Sequence, residues 1–290
     1  MCDDEINQGL VIDPTVNRRT FGLMTGAAAG LGAGAVAFDA YAANVVEKDV
    51  TVTTPDGTSD AALYYPEGKG TWPAVLMWPD VMSLRPVFRE MGRRLAAEGY
   101  VVLVPNLYYR VQKAPVVGDT FNFQNPTDAA KLAPMRASVT DPGTDKDAVA
   151  YLAFLDAQPQ TNKKAKAGVE GYCMGGPLSF RTAAAVPGRI GAVVTFHGGG
   201  LATANPNSPH LLVAKTKAEY LCAVAKNDDT RDPKAKDTLN EAFDAAKLKH
   251  HVEVYQADHG WTVRGSAVYN QAEAERAYAE HTKVYKRALV

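Results

Sequence analysis

From Val45 onward the chain alternates short apolar runs with longer stretches of helical periodicity. Pro73–Trp78 (PAVLMW) and Tyr100–Pro105 (YVVLVP) are unbroken apolar runs of strand length, the pattern of strands buried on both faces. Lys166–Gly171, Ile190–Phe196, Tyr220–Ala225 and His251–Tyr255 predict four more strands. Val50–Thr53 and Ala61–Tyr65 predict a pair joined through the turn residues Pro55-Asp56-Gly57. Arg85–Glu98 places Val87, Phe88, Met91 and Leu95 on one helical face, and Gly99 follows as a stop. Asp145–Ala157, Pro177–Val186, Thr238–Leu248 and Ala272–Leu289 predict further helices, with Pro177 tolerated in a first turn. Asn106–Thr144 breaks the rhythm. It holds Pro115, Pro126, Pro134 and Pro142, so it cannot be one uninterrupted helix, and an excursion of this length reads as a lid or binding loop.

Alternating strands and helices predict an α/β fold with a mainly parallel sheet and helices on both faces. Ligands of such folds bind beyond the carboxyl ends of the strands. The residues that could carry chemistry follow predicted strands.

The first forty residues have a different character. Arg18-Arg19 precede an uncharged, Ala- and Gly-rich stretch from Gly22 to Phe38, and Ala40-Tyr41-Ala42 supplies a small-x-small pattern. Positive, apolar, small is the order of an export signal, and the paired arginines before x-Phe resemble a twin-arginine signal. The chain therefore divides at sequence level into an export signal, 1–42, and one domain, 43–290, with a periplasmic or exported destination and membrane contact only if the signal stays uncleaved. The formal net charge of −1 gives no pointer to nucleic acid. The three cysteines, Cys2, Cys173 and Cys222, are too few for a disulfide framework. With no Cys-x-x-Cys or His-x-x-x-His, no metal and no cofactor is expected.

Gly171-Tyr172-Cys173-Met174-Gly175-Gly176 lies between a predicted strand and a predicted helix, the setting of a nucleophile elbow with Cys in place of Ser. A helix N-terminus favours thiolate, and the N–H of Met174 can stabilise an oxyanion. A second donor is expected from the loop after Trp78, at Val81. His259, in Asp258-His259-Gly260-Trp261 after the last strand, is the candidate base, since imidazole titrates near working pH. The carboxylate that would orient it is expected after Leu221–Ala225, at Asp228 with Asp229 as alternate, while Asp232 is placed at the cap of the next helix. His197 ends a strand and is a candidate for the pocket wall; Cys222 reads as core.

Together these residues resemble the dienelactone hydrolases, or carboxymethylenebutenolidases, over Val45 to Leu289. The elbow, Pro105-Asn106-Leu107-Tyr108, Asn227-Asp228 and His259-Gly260-Trp261 carry the resemblance. It implies an α/β-hydrolase fold, a Cys-His-Asp triad of Cys173, His259 and Asp228, and hydrolysis of a small-molecule lactone or ester. It adds Tyr108 and Trp261 to the pocket candidates. The family usually has a Glu that poises the thiol where this chain has Asp80, and it holds a substrate carboxylate with arginines, for which Arg136 and Arg264 are the candidates. Two other readings compete. A glutaminase-like cysteine amidase also uses G-x-C-x-G, but typically places Glu two residues after its His, where Trp261 stands. An exported, non-catalytic binding protein on a hydrolase scaffold would have an inert Cys173.

Overall fold

A computed structural model describes residues 45–118, 121–123 and 125–290. The export signal and Cys2 lie outside the described residues. Eight strands form one sheet: β1 (Val45–Thr54), β2 (Gly57–Pro66), β3 (Ala74–Trp78), β4 (Val101–Pro105), β5 (Ala167–Tyr172), β6 (Ile190–Phe196), β7 (Glu219–Ala225) and β8 (His250–Tyr255), in the spatial order β1-β2-β4-β3-β5-β6-β7-β8. β1 and β2 form an antiparallel hairpin that joins antiparallel to β4, and every later pairing is parallel. This is the expected α/β-hydrolase fold. The helices are α1 (Pro86–Ala97), α2 (Pro126–Ser138), α3 (Asp141–Ala157), α4 (Gly175–Ala185), α5 (Lys226–Arg231), α6 (Ala235–Ala245) and α7 (Gln271–Ala288). A 3₁₀ segment spans Pro209–Lys215. No helix among the described residues is long and apolar enough to cross a membrane.

The unbroken apolar runs became the centre of the sheet: every residue of β3, β4 and β5 is buried. Covering both faces of a parallel sheet removes the polar alternation that a half-exposed strand shows. β1, at the edge, keeps exposed Glu47, Lys48 and Asp49, charges that discourage edge-to-edge pairing. On one face lie α1 and α7, tied by Arg94 Nη1–H donating to Glu275 Oε1 at 2.9 Å. On the other lie α3, α4 and α6. Arg181 of α4 donates to Asp145 of α3 at 2.9 Å, and Phe180 of α4 packs on Tyr220 and Phe243. Trp78 reaches this second face, its Nε1–H donating to Thr182 Oγ1 at 2.9 Å.

The excursion passes through turns into α2 and ends in the first turn of α3. Asn125 caps α2 by accepting the Thr127 N–H at 2.9 Å, and Thr140 caps α3 by accepting the Gly143 N–H at 3.2 Å. Pro126 and Pro142 sit in first turns, where the missing N–H costs nothing; Pro134 lies inside α2. Several elements depart from the sequence expectation. α2 lies in a stretch that reads as an irregular excursion, the Asn-Asp-Asp stretch after β7 is the short helix α5, the 3₁₀ segment has no expected counterpart, and α3 begins four residues before Asp145. Asp232 does not cap α6 with its side chain. It closes α5, and its carbonyl accepts the Ala235 N–H at 3.2 Å.

Candidate active site

Parallel pairing brings the ends of five strands to one rim of the sheet. Trp78 pairs with Gly171, Tyr172 with Phe196, Phe196 with Ala223, and Ala225 with Tyr255. The loops that follow therefore share one neighbourhood, although they are far apart in sequence.

The turn at Cys173 is forced by its glycines. A Cβ on Gly171 would stand 2.0 Å from Gly175 O, one on Gly175 2.4 Å from Trp78 O, and one on Gly176 2.7 Å from Gly198 Cα. Only glycines let β5 and α4 meet β3 and the loop after β6 so closely. Cys173 itself takes φ 53°, a left-handed backbone that costs a non-glycine residue about 1–3 kcal/mol and persists only where its surroundings impose it. Here the Cys173 N–H donates to Phe196 O at 3.1 Å, and its carbonyl accepts the Gly176 N–H at 3.0 Å. Cys173 is fully buried, directly before the N-terminal end of α4.

His259 Nδ1–H donates to Asp228 Oδ2 at 2.6 Å. That bond assigns the proton to Nδ1 and leaves Nε2 as the lone-pair nitrogen. Nε2 is buried and has no hydrogen-bond partner among the described residues. Asp229, the alternate, turns instead to Lys236 at 2.6 Å. Asn227 contributes what sequence reasoning did not assign: its Oδ1 accepts the His259 N–H at 2.8 Å and the Asp228 N–H at 3.1 Å, joining the two loops through backbone. The signal available was an Asx residue directly before the carboxylate, a type that readily bonds nearby backbone.

His197 follows Phe196, the residue whose carbonyl anchors Cys173, and its ring lies 4.8 Å from that of His259. It is fully buried at φ 43°, with Nε2 2.9 Å from Thr262 Oγ1. Burial, and then the neighbouring His259, hold it well below the usual imidazole pKa, so it is neutral. Trp261 is fully buried, stacked on Tyr255 at 5.3 Å and edge-on to His197 at 5.1 Å, so it backs His197 from within the core.

The loop from β3 to α1 is pinned from several sides. Asp80 and Arg85 form a bidentate pair at 2.6 and 2.8 Å, with Asp80 fully buried and Arg85 8% exposed. Asp80 Oδ1 also accepts the Met82 N–H at 2.9 Å. The carboxylate expected at the thiol thus has both oxygens engaged by a guanidinium five residues on. Val81 is buried, and its carbonyl accepts Tyr108 O–H at 2.7 Å. Tyr108 O–H also lies 3.8 Å from Met174 Sδ, so one buried phenol touches both residues read as oxyanion donors. Ser83 Oγ accepts the Leu107 N–H at 2.8 Å and donates to Asn106 Oδ1 at 3.0 Å, fastening the same loop to the end of β4.

Both arginine candidates are engaged. Arg264 Nη1–H donates to Glu90 Oε1 of α1 at 3.0 Å. It lines a cavity with Glu90, Glu170, Tyr172, Phe196 and Thr262, a wall that reaches the strand ends beside Cys173 without including Cys173 or His259. Arg136 is half-buried in the last turn of α2. Cys222 is core, its thiol pushed up to about 12 by burial.

A sequence model described as the dienelactone hydrolase family matches residues 59–289, nearly the whole described domain. The chain belongs to the dienelactone hydrolase family. Among the relatives of this dienelactone hydrolase family member is a Synechocystis protein named as a carboxymethylenebutenolidase, 25% identical over 83% of this chain and 98% of its own. The carboxymethylenebutenolidase of Pseudomonas putida is 24% identical, over 80% of this chain and 93% of its own. A Klebsiella pneumoniae crystal structure named as a dienelactone hydrolase superposes with a TM-score of 0.72, covering 84% of this chain and 99% of that one at 22% identity. The chain is accordingly a hydrolase of the α/β-hydrolase fold.

Proposed function

We propose that this enzyme hydrolyses carboxylic ester or lactone bonds with Cys173 as nucleophile, His259 as base and Asp228 as the group that orients the base. The observation that carries the reading is the 2.6 Å bond from His259 Nδ1 to Asp228, which leaves a buried, unengaged Nε2 at the rim where the strained Cys173 turn ends. In this reading His259 Nε2 takes the thiol proton and the sulfur adds to the carbonyl carbon. The alkoxide leaves with that proton, forming a thioester. Water then attacks, His259 again taking the proton, and the acid leaves as the thiol is restored. Met174 and Val81 N–H are the proposed oxyanion donors, each of a kind worth about 2.7–4 kcal/mol. Tyr108 supports them by holding the Val81 carbonyl and touching Met174. Because Cys173 and His259 are buried, the ester must displace what covers them.

The test is hydrolysis of a short p-nitrophenyl ester by the chain without residues 1–42, alongside Cys173→Ala. Turnover is expected to fall by about a thousandfold or more in the variant. Cys222 cannot substitute, because its thiol stays protonated in the core. Unchanged turnover would remove Cys173 from the mechanism. We further propose that residues 1–42 direct export by a twin-arginine route.

A further inference from the structure

Resting on that reading, we infer that the substrate of this site is an uncharged ester or lactone, without the free carboxylate that the family resemblance suggests. Arg85 and Arg264, which could hold such a carboxylate, already hold one. Arg85, on the same loop as Val81, is closed bidentately on Asp80, and both side chains are buried. Arg264, five residues after the base, is drawn to Glu90 on α1, in the wall of a cavity that reaches the rim at Tyr172, Phe196 and Thr262. Arg136 has an interaction of its own. The Arg85–Asp80 and Arg264–Glu90 pairs each present no net charge to a ligand.

The lysines that follow β7 are also paired, Lys226 with Asp258 at 3.6 Å and Lys236 with Asp229 at 2.6 Å. Asp228 contributes a carboxylate whose second oxygen, Oδ1, is buried without a hydrogen-bond partner among the described residues. His197, the cation that might have offset it, is held neutral by burial. Cys173 and His259 are buried, so a substrate carboxylate close to the scissile carbonyl would lose its water without gaining a buried, unpaired cation among the described residues. A desolvated, uncompensated ion is among the most costly things a protein interior can accept. A neutral acyl chain meets no such penalty, and its burial is favourable.

Two p-nitrophenyl esters separate the cases: p-nitrophenyl hemisuccinate and its methyl ester, which share leaving group and chain length and differ in one charge. With the chain lacking residues 1–42, the methyl ester is expected to have the higher kcat/KM by about tenfold or more, after correction for the two alkaline hydrolysis rates. Glu90→Gln and Asp80→Asn, which release Arg264 and Arg85, are expected to shift that ratio several-fold toward the acid. Glu90→Gln carries this arm if Asp80→Asn does not fold. Equal or faster turnover of the acid by the unmodified enzyme overturns the inference and leaves the esterase reading standing. A ratio unmoved in every folded variant overturns the role given to these ion pairs. Turnover of neither ester overturns both readings together.

Discussion

At Asp80 both carboxylate oxygens are taken by one guanidinium, whereas Asp228 gives one oxygen to an imidazole and keeps the other buried. The same residue type thus anchors a loop in one place and bonds an imidazole in the other. What separates them is the partner each loop brings: Arg85 for the first, His259 for the second. His197 shows how a titratable residue can be kept from titrating. It is buried among His259, Trp261, Tyr172 and Thr262, and its pKa lies well below the usual value, chiefly through burial. In the unfolded chain it would protonate near pH ~6.5, while in the native chain it does not until lower pH. Below about pH 6.5 the unfolded state therefore binds the extra proton, and native stability falls on acidification by up to ~1.4 kcal/mol per pH unit from this group. His197→Asn, a residue that tolerates positive φ, is expected to be less stable at neutral pH but to lose less on acidification. Urea unfolding at about pH 7.5 and about pH 5.5 measures both effects, and an undiminished pH difference would assign it to other groups.

Among the elements, the β5–turn–α4 unit is the most constrained by sequence. Gly171→Ala would drive a Cβ to 2.0 Å of a backbone carbonyl, where no flexible side chain can give way. We expect a loss of about 3 kcal/mol and of esterase activity, against less than about 0.5 kcal/mol for Gly188→Ala, an exposed site with nothing within 4 Å. Chemical denaturation of the two variants tests the contrast. This unit was legible because its glycines, its strand and its helix are contiguous, and β3 and β4 were legible because burial on both faces leaves an unbroken apolar run. α5 was not: Asn227, Asp228 and Asp229 are turn-forming types, and it is a six-residue helix with no buried residue to set a period. The Asp80–Arg85 clamp escaped for a different reason. Five residues across a loop have no fixed spacing, so only coordinates reveal that the two side chains meet. The resemblance points Trp261 toward the pocket and nearness to His259 points Arg264 there, yet the turn after His259 sends one into the core and the other to Glu90 of α1.

For the molecule as a whole, the sheet order couples distant parts of the chain. β4 inserts between β2 and β3, and β5 pairs on β3 across the whole of the excursion. Such a sheet is complete only when late strands have found early ones, which suits a route that carries folded cargo. Replacing Arg18 and Arg19 together by Lys is therefore expected to retain the protein in the cytoplasm in folded, active form; fractionation with an esterase assay on each fraction checks it, and unaltered export would refute the twin-arginine assignment. The parallel strands also divide labour between the two rims of the sheet. The thiol, the imidazole and its carboxylate all follow carboxyl ends, whereas the exposed turn at Lys163-Lys164 leads into the amino end of β5. A peptide tag spliced between those lysines would enter at the rim opposite the chemistry, giving a handle for immobilising or tracking the enzyme while its ester-cleaving end faces free solution.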